Sequence, residues 1–374
     1  MEFIDLKTQQ AKIKDKLARR CADVLAHGRY IKGPEIKELE EKLAQYCGAK
    51  YAIACGNGTD ALMISLMALG IKAGDEVITT PFTFYATAEV MAVLGVIPVF
   101  VDIDPKSYNI NPELISAKIT QRTKAIMPVS LYGQCSDMGA INTIANQCDI
   151  PVIEDAAQSF GASFKGKKSC NLSTIGTTSF FPSKPLGAYG DGGMMFTNDE
   201  ALAHKLRLLC DHGQEKRYHH VMNGFNSRLD TIQAAMLLAK IDIFDEEVAE
   251  RERIGGLYTQ KLQDHVQTPD KSEDCTHVYA QYTIQVEDRD GLQRFLKERG
   301  IPTSIHYPVP LHFQPAMSQY NYKVGDYPYA EKAAEGVISL PMHPYLSEED
   351  QDNVVASVIE YTQLDAQKRV GEVS

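Results

Sequence analysis

No paired-cysteine motif, no surplus of basic charge, no long apolar run and no internal repeat or low-complexity segment is found in this chain of 374 residues. Its eight cysteines (21, 47, 55, 135, 148, 170, 210 and 275) form no C-x-x-C and no Cys/His group at zinc spacing, which excludes a zinc ribbon and a disulfide framework. They read as reduced, mostly buried thiols. Lys and Arg number 38 against 49 Asp and Glu, a net charge of −11, and a broad nucleic-acid surface needs the opposite sign. The first residues, MEFIDLKTQQAKIK, lack the apolar stretch of a signal peptide, and the apolar segment 90–101 is broken by Gly95 and Pro98 far short of a membrane span. The expectation is a soluble, cytoplasmic protein with no metal site and neither nucleic acid nor membrane as partner.

What is present is a repeated beat of short apolar runs, each followed by a helical pattern. YAIAC (51–55) precedes a helix to Gly70, EVITT (76–80) precedes 83–94, and VIPVFVDI (96–103) precedes 112–119. KAIMPVS (124–130) is followed by 137–148 and then by IPVIEDA (150–156). Alternation of this kind predicts an α/β fold with a mostly parallel sheet and helices on both faces. After TTSFFP (177–182) and GMMFTN (193–198) comes a long helical stretch, about 229–262, and then a shorter α+β pattern with a last helix from Ser347. A large domain over 1–250 and a small C-terminal domain over 251–374 are expected, with the boundary inside the long helix.

Ligands in open parallel sheets sit at the carboxyl ends of strands, so polar residues there carry most weight. IPVIEDAAQSFG ends its apolar run in Glu154 and Asp155, with Gln158 three residues on; these read either as a helix cap with a solvated acid or as a carboxylate aimed into the crevice. GNGTDA (56–61) follows a strand and opens a helix, where backbone N–H groups can receive a phosphate. Its loose match to a dinucleotide motif fails, because Asp75 and Glu76 lie at the wrong end of the next strand. In FFPSKPLGAYGDGG (180–193), Lys184 stands between two prolines beside Phe180 and Phe181. Enclosure by Phe180, Phe181 and Pro185 would favour the neutral, nucleophilic amine. A lysine, a carboxylate and a phosphate loop together suit pyridoxal 5′-phosphate, which has an aldehyde, a ring nitrogen to be kept protonated and a phosphate.

Nearly the whole chain resembles the DegT/DnrJ/EryC1/StrS sugar aminotransferases of fold type I. The resemblance rests on FIDLKTQQ, GRYIKGPEIKELE, NGTDAL, TPFTFYATAE, SLYGQC, VIEDAAQSFGA, SFFPSKPLGAYGDGG, NSRLDTIQAA, HYPVPLH and SLPMHPYL. It implies attachment of the cofactor to Lys184, Asp155 on the pyridine nitrogen, Gln158 near the ring hydroxyl and Phe84 over the ring face. Gly58, Thr59 and Ser179 would hold the phosphate, with Asn226 supplied by the second subunit of a homodimer. It also implies L-glutamate as amino donor, with pyridoxamine phosphate as the intermediate form of the cofactor.

The likeness is closest to enzymes acting on UDP-2-acetamido-2-deoxy-3-oxo-D-glucuronate, which implies amination at C3 of a nucleotide-linked keto sugar for bacterial surface polysaccharide (O-antigen) synthesis. Another UDP- or dTDP-linked 3-keto or 4-keto sugar is the alternative, and a cofactor-binding regulator without turnover is a rival of another class. Arg228, His306 and Tyr307 suit the carboxylate and diphosphate of such a substrate. His306 reads equally as a buried, backbone-satisfied histidine, and Arg228 as a surface ion pair that could instead reach the neighbouring site. Tyr30 and Lys32 could line the sugar site, although Pro34 at a helix start already explains that stretch. KGKK (165–168) reads as a charged hairpin tip and RYHH (217–220) as a loop.

Overall fold

The computed structural model describes residues 1–372. The apolar runs become seven strands: β1 (Tyr51–Cys55), β2 (Glu76–Thr79), β3 (Ile97–Phe100), β4 (Thr123–Ile126), β5 (Ile153–Asp155), β6 (Ile175–Ser179) and β7 (Gly193–Thr197). Strand β2 pairs in parallel with β3 and β4, and β5 with β6. Parallel bridges Ile126↔Val152 and Val129↔Asp155 join the two groups. The spatial order is therefore β3-β2-β4-β5-β6-β7-β1, with β7 antiparallel to both neighbours. That reversal has a local cause. The connection 180–192 contains no helix, so it cannot make a crossover and the chain returns antiparallel. Lys184 lies in this return.

Side chains alternate between the two faces as strand geometry requires. Ala52, Ala54, Met194 and Phe196 pack toward the helices Pro34–Cys47 and Thr231–Leu262, whereas Ile53, Cys55 and Met195 pack toward Gly58–Ala68 and Glu200–Cys210. Both faces are covered, which explains why the strands read as unbroken apolar runs.

Two sequence expectations change. The stretch 112–119 is not an α-helix but two 3₁₀ turns, Pro112–Leu114 and Ser116–Lys118. Asn111 caps the first through Glu113 N–H, and only Ile115 is fully buried, with Ile119 partly packed against the same core, too little apolar surface to hold a longer helix. The helix expected over 83–94 starts at Ala86, which leaves Thr83 and Phe84 on a loop.

The helix Thr231–Leu262 runs continuously from one core to another. Leu237, Leu238 and Phe244 belong to the core beside β1 and β7. From Ile254 onward it packs with β8 (Tyr282–Gln285), β9 (Val337–Leu340), the helix Arg289–Glu298 and Val354, Val355 and Val358 of the final helix. Residues 311–337 pack back onto Phe82, Phe100 and Tyr132 and so tie the C-terminal part to the edge of the large sheet. Ser347 caps the last helix by accepting from Asp350 N–H at 3.1 Å. Among the described residues no helix is long and apolar enough to cross a membrane.

Candidate active site

The carboxyl ends of β5 and β6, the loop before Ala86, the start of the helix Gly58–Ala68 and the segment around His306 enclose a cavity of about 630 Å³. It brings together Gly58, Thr59, Phe84, Asp155, Gln158, Ser179, Lys184, His306 and Tyr307. Tyr30, Asn226 and Arg228 are not on its wall.

Asp155 is the last residue of β5 and is 5% exposed. Its Oδ2 accepts from Thr87 Oγ1 at 3.1 Å, Thr83 Oγ1 lies 3.3 Å from Thr87 Oγ1, and its Oδ1 accepts from Ala157 N–H at 3.2 Å. Burial raises its pKa, opposed by the Ala157 N–H, Lys184 and Thr87. The neighbouring Glu154 points to the other face of the strand. It is fully buried and accepts from Ser169 Oγ at 2.9 Å and Cys170 N–H at 2.9 Å. Of the two acids only Asp155 faces the cavity.

Lys184 is held through its backbone N–H on Phe181 O at 2.9 Å. Burial lowers the pKa of its amine and Asp155 opposes that shift, so the amine gives up its proton more readily than a free lysine. The enclosing residues differ from expectation. Phe180 is wholly buried in the large-domain core and is not on the cavity wall, because its backbone pairs with Gly192 and turns its ring toward Phe160. Phe181 lines the cavity but is 52% exposed.

A cradle at the start of the helix Gly58–Ala68 is shaped by missing side chains. Asn57 caps the helix by accepting from Asp60 N–H at 2.8 Å, which leaves the first-turn N–H groups of Gly58 and Thr59 toward the cavity. A Cβ on Gly58 would stand 2.7 Å from Ser179 Cβ, and one on Gly193 would stand 2.4 Å from Asn57 O. Strand β7 and the helix start therefore meet backbone to backbone, with the Ser179 hydroxyl beside them.

Opposite the cradle, Gln158 accepts from Tyr132 N–H at 2.8 Å and donates to Tyr307 Oη at 3.0 Å. Burial raises the Tyr307 pKa, so its phenol stays protonated. Phe84, 57% exposed, stands over the opening with its ring 6.2 Å from that of Tyr307. His306 has both ring nitrogens engaged, Nδ1 with Ser339 Oγ at 2.9 Å and Nε2 with Ser304 Oγ at 3.3 Å, and burial lowers its pKa to about 4. It is a neutral wall residue.

Away from the cavity, Arg228 pairs with Asp211 at 2.6 Å and its buried Nε has no hydrogen-bond partner among the described residues. Asp211 also pairs with Lys32, and Asn226 bridges Asp211 on an exposed segment. Tyr30 is 52% exposed. KGKK falls in the hairpin Ser163–Phe164/Lys167–Lys168, and RYHH in the ribbon Gln214–Lys216/His219–His220. Among the described residues no group of His, Cys, Asp and Glu could hold a metal ion.

Sequence reading missed Thr83, Thr87, Asp60, Asp191 and Gln281, all on the cavity wall. Thr83 and Thr87 had a signal, since they sit in PFTFYAT four residues apart just after β2.

A wall with an amine of lowered pKa, a buried carboxylate to hold a protonated ring nitrogen, and a side-chain-free helix start for a phosphate fits pyridoxal phosphate group for group. Fold and site together define a pyridoxal-phosphate enzyme of fold type I. Residues 11–359 match the DegT/DnrJ/EryC1/StrS aminotransferase family, and the chain belongs to that family. The UDP-2-acetamido-2-deoxy-3-oxo-D-glucuronate aminotransferase of Pseudomonas aeruginosa is 58% identical over 347 residues, covering 92% of this chain and 96% of that one. A family aminotransferase from Brucella abortus superposes with a TM-score of 0.94 at 46% identity, covering 97% and 99% of the two chains. Ntda from Bacillus subtilis, solved with bound cofactor PMP, superposes with a TM-score of 0.89 at 34% identity, covering 96% and 83%. The chain is thus a cofactor-dependent sugar aminotransferase, and the reading as a regulator without turnover is set aside.

Proposed function

We propose that this enzyme transfers the amino group of L-glutamate to C3 of UDP-2-acetamido-2-deoxy-3-oxo-D-glucuronate. The observation that carries this reading is the 58% identity, over nearly the full length of both chains, with the Pseudomonas aeruginosa enzyme named for that substrate. Pyridoxal phosphate supplies an electron sink that stores the donor's amino group as the amine form of the cofactor. Asp155 holds a proton on the ring nitrogen, and Gln158 with Tyr307 orients the side of the ring bearing the hydroxyl. Gly58, Thr59 and Ser179 hold the phosphate, and Phe84 covers the ring face. Lys184 would hold the cofactor through its aldehyde and, as a free amine, would move a proton to and from the reacting carbon.

The active unit in this reading is a homodimer in the cytoplasm, and the product enters a bacterial surface polysaccharide such as an O-antigen. Charge supports the dimer. Among the described residues on the cavity wall, Lys184 is the one cation beside Asp60, Asp155 and Asp191, and His306 is neutral. Glutamate and a uronate diphosphate are both anions, so cations must be supplied from outside the chain's own wall. Arg228, whose Nε is unpartnered among the described residues, and Asn226 are assigned to the partner's cavity, and Tyr30 to the sugar there. The same reading divides the chain into domains 1–250 and 251–374, supported by the change of core along the long helix between Phe244 and Ile254. Residues 373 and 374 lie outside those described.

The test is the visible band of the lysine-bound cofactor in purified protein, followed through L-glutamate and then the keto sugar, with Lys184→Ala as control. Bleaching by glutamate and recovery with UDP-2-acetamido-2-deoxy-3-oxo-D-glucuronate is expected. Recovery with a 4-keto or other 3-keto nucleotide sugar alone would replace the substrate and keep the chemistry.

A further inference from the structure

The return loop that carries Lys184 is gripped from behind by two residues on one face of the helix Thr231–Leu262. Gln233 binds Tyr189 at both backbone groups, its Oε1 accepting from Tyr189 N–H at 2.9 Å and its Nε2 donating to Tyr189 O at 3.2 Å. Two turns along the helix, Lys240 Nζ donates to Gly187 O at 2.6 Å and stands 4.2 Å from the centre of the Tyr189 ring. A spacing of seven residues puts both side chains on the same face. The loop cannot shift under this grip. A Cβ on Gly187 would lie 2.4 Å from Pro182 O, and one on Gly190 would lie 2.9 Å from Gln233 Nε2.

Lys240 is an expensive residue to place there. It is 1% exposed, and an ammonium removed from water is destabilising unless well paired. Its hydrogen bond is to a neutral carbonyl, and Glu247 acts on it only at longer range, being bound by Gln9 and Tyr345. A methionine would fill that volume without the charge. The return for the charge is a fixed Gly187 carbonyl, three residues beyond Lys184, and through it a fixed origin for the nucleophile's side chain.

We propose that Gln233 and Lys240 are positioning residues for Lys184, setting the register of the return loop so that the amine meets the cofactor's aldehyde. Neither touches the cavity, and their effect passes through Gly187 and Tyr189. The proposal rests on the assignment of Lys184 as the cofactor lysine. That assignment has its own control, since Lys184→Ala abolishes the visible band altogether, whereas a register defect slows its appearance.

The experiment measures, on the full-length chain stripped of cofactor, the rate at which added pyridoxal phosphate generates the visible band, together with kcat, KM and the urea midpoint. Lys240→Met and Gln233→Met should each slow band formation and lower kcat about tenfold or more, with KM nearly unchanged, because misplacing a reacting group costs rate rather than ground-state binding. Lys240→Met should match or exceed the wild-type urea midpoint, which a merely structural role would not allow. Lys240→Gln restores a neutral donor and should recover most of the lost rate. Wild-type band formation in either folded methionine variant would overturn the proposal. So would a folded Lys240→Gln as slow as Lys240→Met. If Lys240→Met does not fold, Gln233→Met decides.

Discussion

Thr87 Oγ1 donates to Asp155 Oδ2 across 3.1 Å, and this buried contact links the first turn of the helix Ala86–Val93 to the end of β5. It fixes the carboxylate's orientation and opposes the rise in pKa that burial imposes. Thr87→Val keeps the shape and removes the donor. With the donor gone the Asp155 pKa rises further, so its charged form is lost at a higher pH as the solution is acidified. The acid limb of kcat should move to higher pH, and kcat at neutral pH should fall about 10- to 100-fold. Asp155→Asn, which cannot hold a proton on the ring nitrogen by charge, should lose more. An unmoved acid limb in a folded Thr87→Val enzyme would remove Thr87 from the account.

Gly58 leaves space that the cradle uses. In Gly58→Ala the new methyl meets Ser179 Cβ at 2.7 Å, and one of them must shift. The expected result is a cost of about 1–3 kcal/mol, shared between fold stability and cofactor affinity. The affinity for pyridoxal phosphate should weaken about tenfold. Titrating stripped protein with the cofactor measures this directly, and unchanged affinity would move the phosphate away from the helix start.

How much of this was legible in the sequence depends on whether the information is local. Asp155 could be found because it ends an apolar strand, and a strand's carboxyl end is where open sheets bind ligands, whereas Lys184 could be found because it stands between two prolines beside two aromatics. The cradle could be found because Gly58 opens a helix. Thr83 and Thr87 were legible only as hydroxyls placed just after β2, since nothing in PFTFYAT says which of them meets a residue 68 positions away. The orientation of Phe180 was also hidden. Two adjacent aromatics in a loop offer no period from which to tell the buried one from the exposed one. The antiparallel β7 was readable in retrospect from the missing crossover helix over 180–192. The assignment of Asn226 came from resemblance alone, that of Arg228 also from its charge and that of Tyr30 from its place in GRYIKGPE, and within one chain all three stand apart from the cavity.

Glu154 sets a pH dependence of stability separate from catalysis. Its ordinary pKa of 4.5 is raised to about 7 in the folded protein by burial, against the hydrogen bonds of Ser169, Cys170 and Ser130. Between these two values the folded state keeps a proton that the unfolded chain releases. Stability therefore declines as pH rises from about 4.5 to about 7 and is flat above, a change of about 3 kcal/mol from this group. Asp155, also raised by burial, adds in the same direction. Glu154→Gln keeps acceptor and donor atoms for Cys170 and Ser169 and should flatten the decline. Urea unfolding across that pH range measures it, and a slope identical to wild type would assign the linkage to other groups.

Among the described residues the cavity wall carries one cation, Lys184, beside three carboxylates, and this predicts a specific genetic behaviour. If Arg228 and Asn226 serve the partner's site, Lys184→Ala and Arg228→Ala disable different parts of each composite site. In a mixed dimer, one site carries both defects. The other has its own Lys184 and receives Arg228 from the Lys184→Ala subunit, so it is intact. Mixing the two inactive proteins under conditions that exchange subunits should restore about a quarter of wild-type activity, because half of the dimers are mixed and each has one intact site. Mixing Arg228→Ala with Asn226→Ala should restore far less, since both changes lie on the same donated segment and every mixed site lacks one of them. Should Lys184→Ala with Arg228→Ala stay inactive while sedimentation shows mixed dimers, Arg228 acts within its own chain, and the ion pair with Asp211 is its whole role.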